Sequence, residues 1–123
     1  MITYKINTAK LKENYKMFAG FGPVYFPIKT NHNSIILKEL KRLGCGFETD
    51  SIEHIKKVYS RSIADKIMFS NVAKSQEDIL WAIKHKISYY TIDDENSLKQ
   101  IIDLSIRNKL PKLKINVRLN VYE

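Results

Sequence analysis

Apolar and polar positions along the chain follow two different periods in turn. Five short apolar or β-branched runs begin near Val24, Gly46, Lys66, Ile87 and Lys112, and between them the apolar residues recur at three- and four-residue spacing. The short runs predict strands and the spaced segments predict amphipathic helices, one such unit in about every 20 to 25 residues. Helix-start chemistry agrees with this division. A helix ahead of the first strand opens at Asn7 or Thr8 and puts Leu11, Tyr15 and Phe18 on one face. The second carries Ile36, Leu37, Leu40 and Leu43 behind an Asn33-Ser34 cap, and it stops at Gly44, a residue suited to the left-handed position past a helix end. Ser51 caps a third with Ile52, Ile55 and Val58. The run from Ser75 to Asp78 resembles a capping box ahead of Ile79, Leu80 and Ile83, and Lys84 and Lys86 suit the negative end of that helix. Asp93 or Asp94 caps the last helix, with Leu98, Ile101 and Ile102 inward and Pro111 beyond its end.

Strand and helix in alternation give parallel strands, because each helix carries the chain back to start the next strand in the same direction. Two architectures fit. An open doubly wound sheet of five strands is complete at 123 residues. A (β/α)8 barrel needs about 250, so here the chain would be its first half. No GxGxxG or GxxxxGK[ST] follows any strand. In both architectures chemistry collects at the carboxyl ends of the strands. Those ends carry Lys29, then Glu48 with Ser51, then Ser70 and Asn71, then Asp93, then Arg118. The last strand alternates Leu113, Ile115, Val117, Leu119 and Val121 on one face with Lys114, Asn116, Arg118, Asn120 and Tyr122 on the other. Lys29 ends the hydrophobic run from Val24 and precedes a turn rich in Asn, where it could serve as an amine nucleophile.

Composition narrows the function classes. With 21 Lys+Arg against 13 Asp+Glu the net charge is +8, which could mark a nucleic-acid binder. Most of those lysines lie on helix faces among polar and acidic residues, as solvated faces do. No zinc-finger spacing, aromatic RNP-type motif or Arg-rich tract accompanies them, so nucleic acid is not expected as a partner. No apolar run approaches the ~18 residues of a membrane span, and the N-terminus carries charges where a signal peptide needs its apolar stretch. A cytoplasmic location is the expectation, with which the single cysteine, Cys45, agrees. Cys45 lies between two glycines at a strand start, on the side of such a sheet that carries stability rather than catalysis. His32, His54 and His85 have no metal-ligand spacing and are read as surface or helix residues, and Trp81 and Phe69 as core.

The string VYFPIKTNHNSIILKELKRLGCGFETDSIEHIKKV, followed by DKIMFSNVAKSQEDILWAIKHKISYYTIDDENSLKQI and KLKINVRLN, resembles the N-terminal barrel half of the fold-type III pyridoxal-phosphate amino-acid decarboxylases. These are the ornithine, diaminopimelate, arginine and related decarboxylases, whose barrel is shared with alanine racemase. The resemblance runs from about Tyr4 to Asn120, with the motifs in the family's order. It implies that residues 1–123 are the N-terminal part of a pyridoxal-phosphate-binding, alanine-racemase-like barrel domain, with about five parallel strands and their crossover helices.

By the same resemblance, Lys29 stands at the Y-A-V-K-x-N lysine that joins the cofactor aldehyde as a Schiff base. Glu48 stands at the acid of G-F-D-x-x-S beside the cofactor. Arg118 matches the L-R-x-N arginine, Ser70 and Asn71 the small polar pair ending the third strand, and Asp93 the acid after the fourth. The pattern departs in two places: Glu48 is one methylene longer than the usual Asp, and Pro27 occupies the first strand, where proline cannot donate to a central ladder. The implied function is decarboxylation of a basic or diamino amino acid (ornithine, diaminopimelate, lysine or arginine), with homodimers in the full-length form. The ring-stacking histidine, the phosphate cradle and the C-terminal β-domain of the family fall outside these residues. The expectation is therefore a fragment, a split-gene product or a truncated chain, inactive alone. Two other readings stay open: a non-catalytic, cofactor-binding or regulatory homologue of the same barrel, and a small basic α/β binding module.

Overall fold

A computed structural model describes residues 1–121. Its elements run α1 (Thr8–Ala19), β1 (Tyr25–Pro27), α2 (Ser34–Arg42), β2 (Gly46–Thr49), α3 (Ile52–Val58), β3 (Ile67–Phe69), α4 (Gln76–Lys84), β4 (Tyr89–Ile92), α5 (Glu95–Arg107) and β5 (Lys114–Val117), with a 3-10 helix over Arg61–Lys66. Each α-helix starts where a side chain can take an orphaned amide. Asn7 accepts from the Lys10 amide, Asn33 from Ile35, Ser51 from His54, Ser75 from Asp78 and Asp94 from Ser97. Between Asp93 and Asp94, then, Asp94 is the cap. It accepts from both the hydroxyl and the amide of Ser97, which hold its carboxyl below the usual range. Gly44 follows the end of α2 at φ 91°, the left-handed conformation that favours glycine. The 3-10 helix was not expected: only Ala64 of its six residues is buried, so it has no apolar periodicity to read.

All five strands are parallel and lie in chain order, β1-β2-β3-β4-β5. A doubly wound sheet reverses its strand order at a switch point, and this one never does, so the barrel-type order is the one realised. Register fixes two faces. Pro27, Glu48, Met68, Tyr89 and Lys114 pair in one row across the sheet. The intervening residues Phe47, Ile67, Phe69, Tyr90 and Ile92 are buried, together with Leu37, Leu40, Ile55, Val58, Ile79, Ile83 and Ile101 from the helices. Each fully buried aliphatic or aromatic side chain on that face contributes roughly 1.5–3 kcal/mol relative to exposure. The Tyr90 hydroxyl, which burial keeps protonated, donates to the Ile87 carbonyl at 2.8 Å, and among the described residues no buried side-chain nitrogen or oxygen lacks a partner. The opposite face is the more open one: Glu48, Met68 and Tyr89 are half-buried, and Lys114 and Asn116 exposed.

Several expected core positions lie elsewhere. Phe18 is 59% exposed, since α1 packs only Leu11 and Tyr15 against its neighbours. On α5 the inward face turns through Leu98, Ile101, Leu104 and Ser105, and Ile102 falls off it. Trp81 is half-buried and stacks on His85 at 3.7 Å between ring centroids, whereas Phe69 is core as expected. On β5 only Leu113 and Ile115 reach the core; Val117, Leu119 and Val121 are exposed, and Tyr122 lies outside the described residues. Pro27 costs no bond to β2. The Ile28 amide donates to the Glu48 carbonyl, so the Pro27 nitrogen, one residue away, faces away from β2.

Candidate functional site

The alternation that sets the Pro27-to-Lys114 row sets another row two residues further along. It consists of Lys29, Asp50, Ser70, Thr91 and Asn116, at or just past the carboxyl ends of the five strands. Its members form two contacting groups, Lys29–Asp50–Ser70 and Thr91–Asn116. The Lys29 Nζ lies 4.0 Å from Asp50 Oδ2, Ser70 Oγ donates to Asp50 Oδ1 at 3.1 Å, and Asn116 Nδ2 donates to Thr91 Oγ1 at 3.3 Å. Ser70 and Thr91 are buried, and Lys29 keeps 62% of its side chain in solvent. The Asp50 amide donates to His54 Nδ1 at 3.5 Å, which ties the turn after β2 to the first turn of α3.

Lys74 closes the gap between β3 and β4. Its ammonium donates to the Asn71 carbonyl and, at 2.5 Å, to the Thr91 carbonyl, and it lies 5.1 Å over the Phe69 ring. Burial, and next the Arg118 guanidinium, push its amine down to about 8, while Asp93 pulls the other way. The Arg118 side chain is exposed; its backbone amide extends the β4–β5 ladder by donating to the Ile92 carbonyl at 2.8 Å.

Lys29, Asp50, Ser70, Asn71, Val72 and Arg118 line one depression of about 260 Å³. The structure thus gathers four expected residues, Lys29, Ser70, Asn71 and Arg118. Glu48 faces the same side one row lower, between Pro27 and Met68. Asp93 stands beside Lys74 rather than in the lining, and Ser51 is taken up as the cap of α3. Asp50 and Lys74 were not anticipated. Counting two residues on from both Pro27 and Glu48 brings Lys29 and Asp50 to one row, so a signal for Asp50 existed; nothing local marks Lys74 as partly buried. Of the histidines, His32 is exposed, His54 half-buried on α3 and His85 half-buried at the end of α4.

The donor set suits pyridoxal phosphate. An accessible primary amine meets the needs of an aldehyde, and a hydroxyl, an amide and a guanidinium meet those of anionic oxygens.

Residues 6–122 match the family model described as "Pyridoxal-dependent decarboxylase, pyridoxal binding domain". The chain is 30% identical over 111 residues to the diaminopimelate decarboxylase of Campylobacter jejuni, covering 89% of this chain and 27% of the relative. It is 29% identical over 124 residues to that of Pseudomonas fluorescens, covering 96% and 30%. In fold it resembles the crystal structure of ornithine decarboxylase from Entamoeba histolytica, with TM-score 0.74, 24% identity, and coverage of 91% of this chain and 33% of that one. The chain spans under a third of the length of these curated relatives. It belongs to the pyridoxal-dependent decarboxylase family, and its five-stranded sheet corresponds to the N-terminal half of the family's barrel. No helix among the described residues is long and apolar enough to cross a membrane.

Proposed function

We propose that this chain, as a member of the pyridoxal-dependent decarboxylases, is the N-terminal cofactor-binding portion of an enzyme that decarboxylates a basic or diamino amino acid. Lys29 is its reactive amine. The observation that carries the reading is the position of Lys29 at the carboxyl end of β1, sharing one depression with Ser70, Asn71 and Arg118. The proposal extends to a cytoplasmic homodimer in the full-length form.

Bound pyridoxal phosphate supplies an aldehyde that takes up amines and a ring that accepts the electron pair left when a carboxylate departs. The chain's own residues do the rest. Lys29 presents Nζ at the mouth of the strand-end row, held from one side by Asp50. Ser70 and Asn71 offer short, fixed hydrogen-bonding groups at the end of β3, and a buried scaffold lets them hold their geometry. Arg118, charged at all relevant pH, would bind an anionic oxygen and disfavour a second positive charge nearby. Glu48, one row down, faces the underside of the same space and offsets that charge. Met68, Tyr89 and Tyr25 floor the open face and limit water beneath the reacting groups.

The test is incubation of the chain with pyridoxal 5'-phosphate, reduction with borohydride and peptide mass mapping. A single stoichiometric adduct on Lys29, lost in Lys29→Ala, is the expected result. An adduct distributed over surface lysines, with none favoured at position 29, would overturn the reading.

A further inference from the structure

The strand-end row contains a carboxylate that the family pattern does not call for. In G-F-D-x-x-S the acid position is filled here by Glu48, and Asp50 falls on an unspecified x. Yet register puts Glu48 in the row of Pro27 and Met68, whereas Asp50 shares the row of Lys29 and Ser70. Successive same-face residues on a strand are about 6.5 to 7 Å apart, so the Glu48 backbone stands one full repeat below the row of Lys29. Among the described residues Lys29 makes its ion pair with Asp50, and Glu48 makes none.

Asp50 is also the better-held acid. Its Oδ1 accepts from the buried Ser70 hydroxyl at 3.1 Å, which leaves Oδ2 for Lys29. Its amide is fixed on His54, at the first turn of α3. Ser70 in turn is anchored to β2, its amide donating to the Thr49 carbonyl at 2.8 Å and its hydroxyl standing 3.2 Å from the same oxygen. A carboxylate constrained at both backbone and side chain loses little freedom when it orients an amine, whereas an unpaired one must be ordered first. We propose that Asp50, braced by Ser70 and His54, is the positioning residue that aims the Lys29 amine across the strand-end depression.

This inference rests on the reading of Lys29 as the amine that takes the cofactor, so its test has an arm independent of the cofactor. Water-soluble carbodiimide joins a carboxylate to an amine in contact with it: the activated carboxyl carbon forms an amide bond to Nζ and the reagent leaves as its urea. Applied to the chain without cofactor, it should yield a Lys29–Asp50 linked peptide, retained in Glu48→Gln and reduced several-fold in Ser70→Ala. A Lys29–Glu48 link in its place would overturn the proposal.

The second arm measures the rate at which pyridoxal 5'-phosphate modifies Lys29, by timed borohydride quenching and peptide mass. Asp50→Asn should slow that rate about tenfold, the scale of losing an orienting contact worth about 1.4 kcal/mol. Asp50→Glu should recover part of the loss. Circular dichroism of both variants checks that the fold is kept. Modification of Asp50→Asn at the wild-type rate would overturn the positioning role. Failure of the wild-type chain to be modified at Lys29, with the Lys29–Asp50 link still formed, would instead overturn the functional reading above.

Discussion

The rings of Tyr25 and Tyr89 meet edge to face, centroids 5.5 Å apart, although β2 and β3 lie between their strands. Gly46 makes this possible. A Cβ at that position would come 2.8 Å from the Tyr25 ring and 2.8 Å from the Lys66 carbonyl oxygen. The open face of the sheet is therefore floored by two aromatics that reach towards each other across the two intervening strands, and the absent side chain of Gly46 is part of that packing.

Gly46→Ala is expected to destabilise the chain by about 1–3 kcal/mol, the usual cost of overpacking. Tyr25→Ala should relieve only part of the cost, because the Lys66 carbonyl remains in the way. Chemical denaturation of the two single variants and the double variant measures this. A Gly46→Ala chain as stable as the wild type would show that the ring and the carbonyl can both give way.

Lys74 makes stability depend on pH in a window set by its lowered pKa. Between about 8 and the ordinary value of 10.5, the native amine is neutral while the unfolded one still carries its proton. The unfolded state then binds more protons, so stability rises with pH across that window and falls as pH drops towards 8. In Lys74→Met this slope is absent. The difference in unfolding free energy, wild type minus variant, should grow between pH 8 and 10.5, as urea titrations at several pH values would report. A flat difference would mean that the two carbonyl contacts offset the burial of the ammonium.

Much of this arrangement could be read from the chain. Side-chain caps mark their own positions, because Asn33, Ser51 and Ser75 are short polar residues directly ahead of apolar periodicity, and each accepts the amide expected of it. The strand ends carrying Lys29, Ser70 and Arg118 were legible for the same reason: a buried strand is an apolar run, and its end is where polarity returns. What was not legible depends on register between strands. Glu48 and Asp50 both look like the acid at the end of β2, and only pairing with β1 distinguishes their rows. Lys74 lies in a polar turn whose partial burial comes from Thr91 and Phe69, distant in sequence. Ile102 and Phe18 were misassigned because a helix face wide enough to include them exists on paper, while the packed face is narrower.

Ser70 joins the scaffold to the site, and the two roles respond differently to its removal. In Ser70→Ala the Thr49 carbonyl keeps its bond from the Ser70 amide, and the Asp50 carboxylate remains open to water. No buried group is orphaned, so the stability loss should stay near 0.5–1.5 kcal/mol, the net worth of one hydrogen bond. Ser70→Val adds bulk at a position only 4% exposed and should cost more. Thermal unfolding of the two variants provides the comparison, and an alanine variant that lost more than the valine one would show that the hydroxyl does more than link Thr49 to Asp50.

Cys45 gives a reporter for opening of the sheet at β1. Its thiol is buried, lies 3.1 Å from the Gly46 carbonyl and 3.6 Å from that of Val24, and burial pushes its pKa up to about 11. Alkylation requires both access and the thiolate. At pH 8 the native thiol satisfies neither condition, so iodoacetamide should label it at least a hundredfold more slowly than in 6 M guanidinium chloride. Because Cys45 is covered by the junction of α2 with β1 and β2, residual labelling should follow the opening of that junction and quicken in Gly46→Ala, whose strained contacts lie next to it. Its titration also opposes that of Lys74. From about pH 9 to 11 the unfolded thiol is ionised and the native one is not, so this contribution to stability is lost as pH rises. Rapid stoichiometric labelling of the native chain at pH 8 would show that the first strand leaves the sheet far more often than its hydrogen bonds to β2 imply.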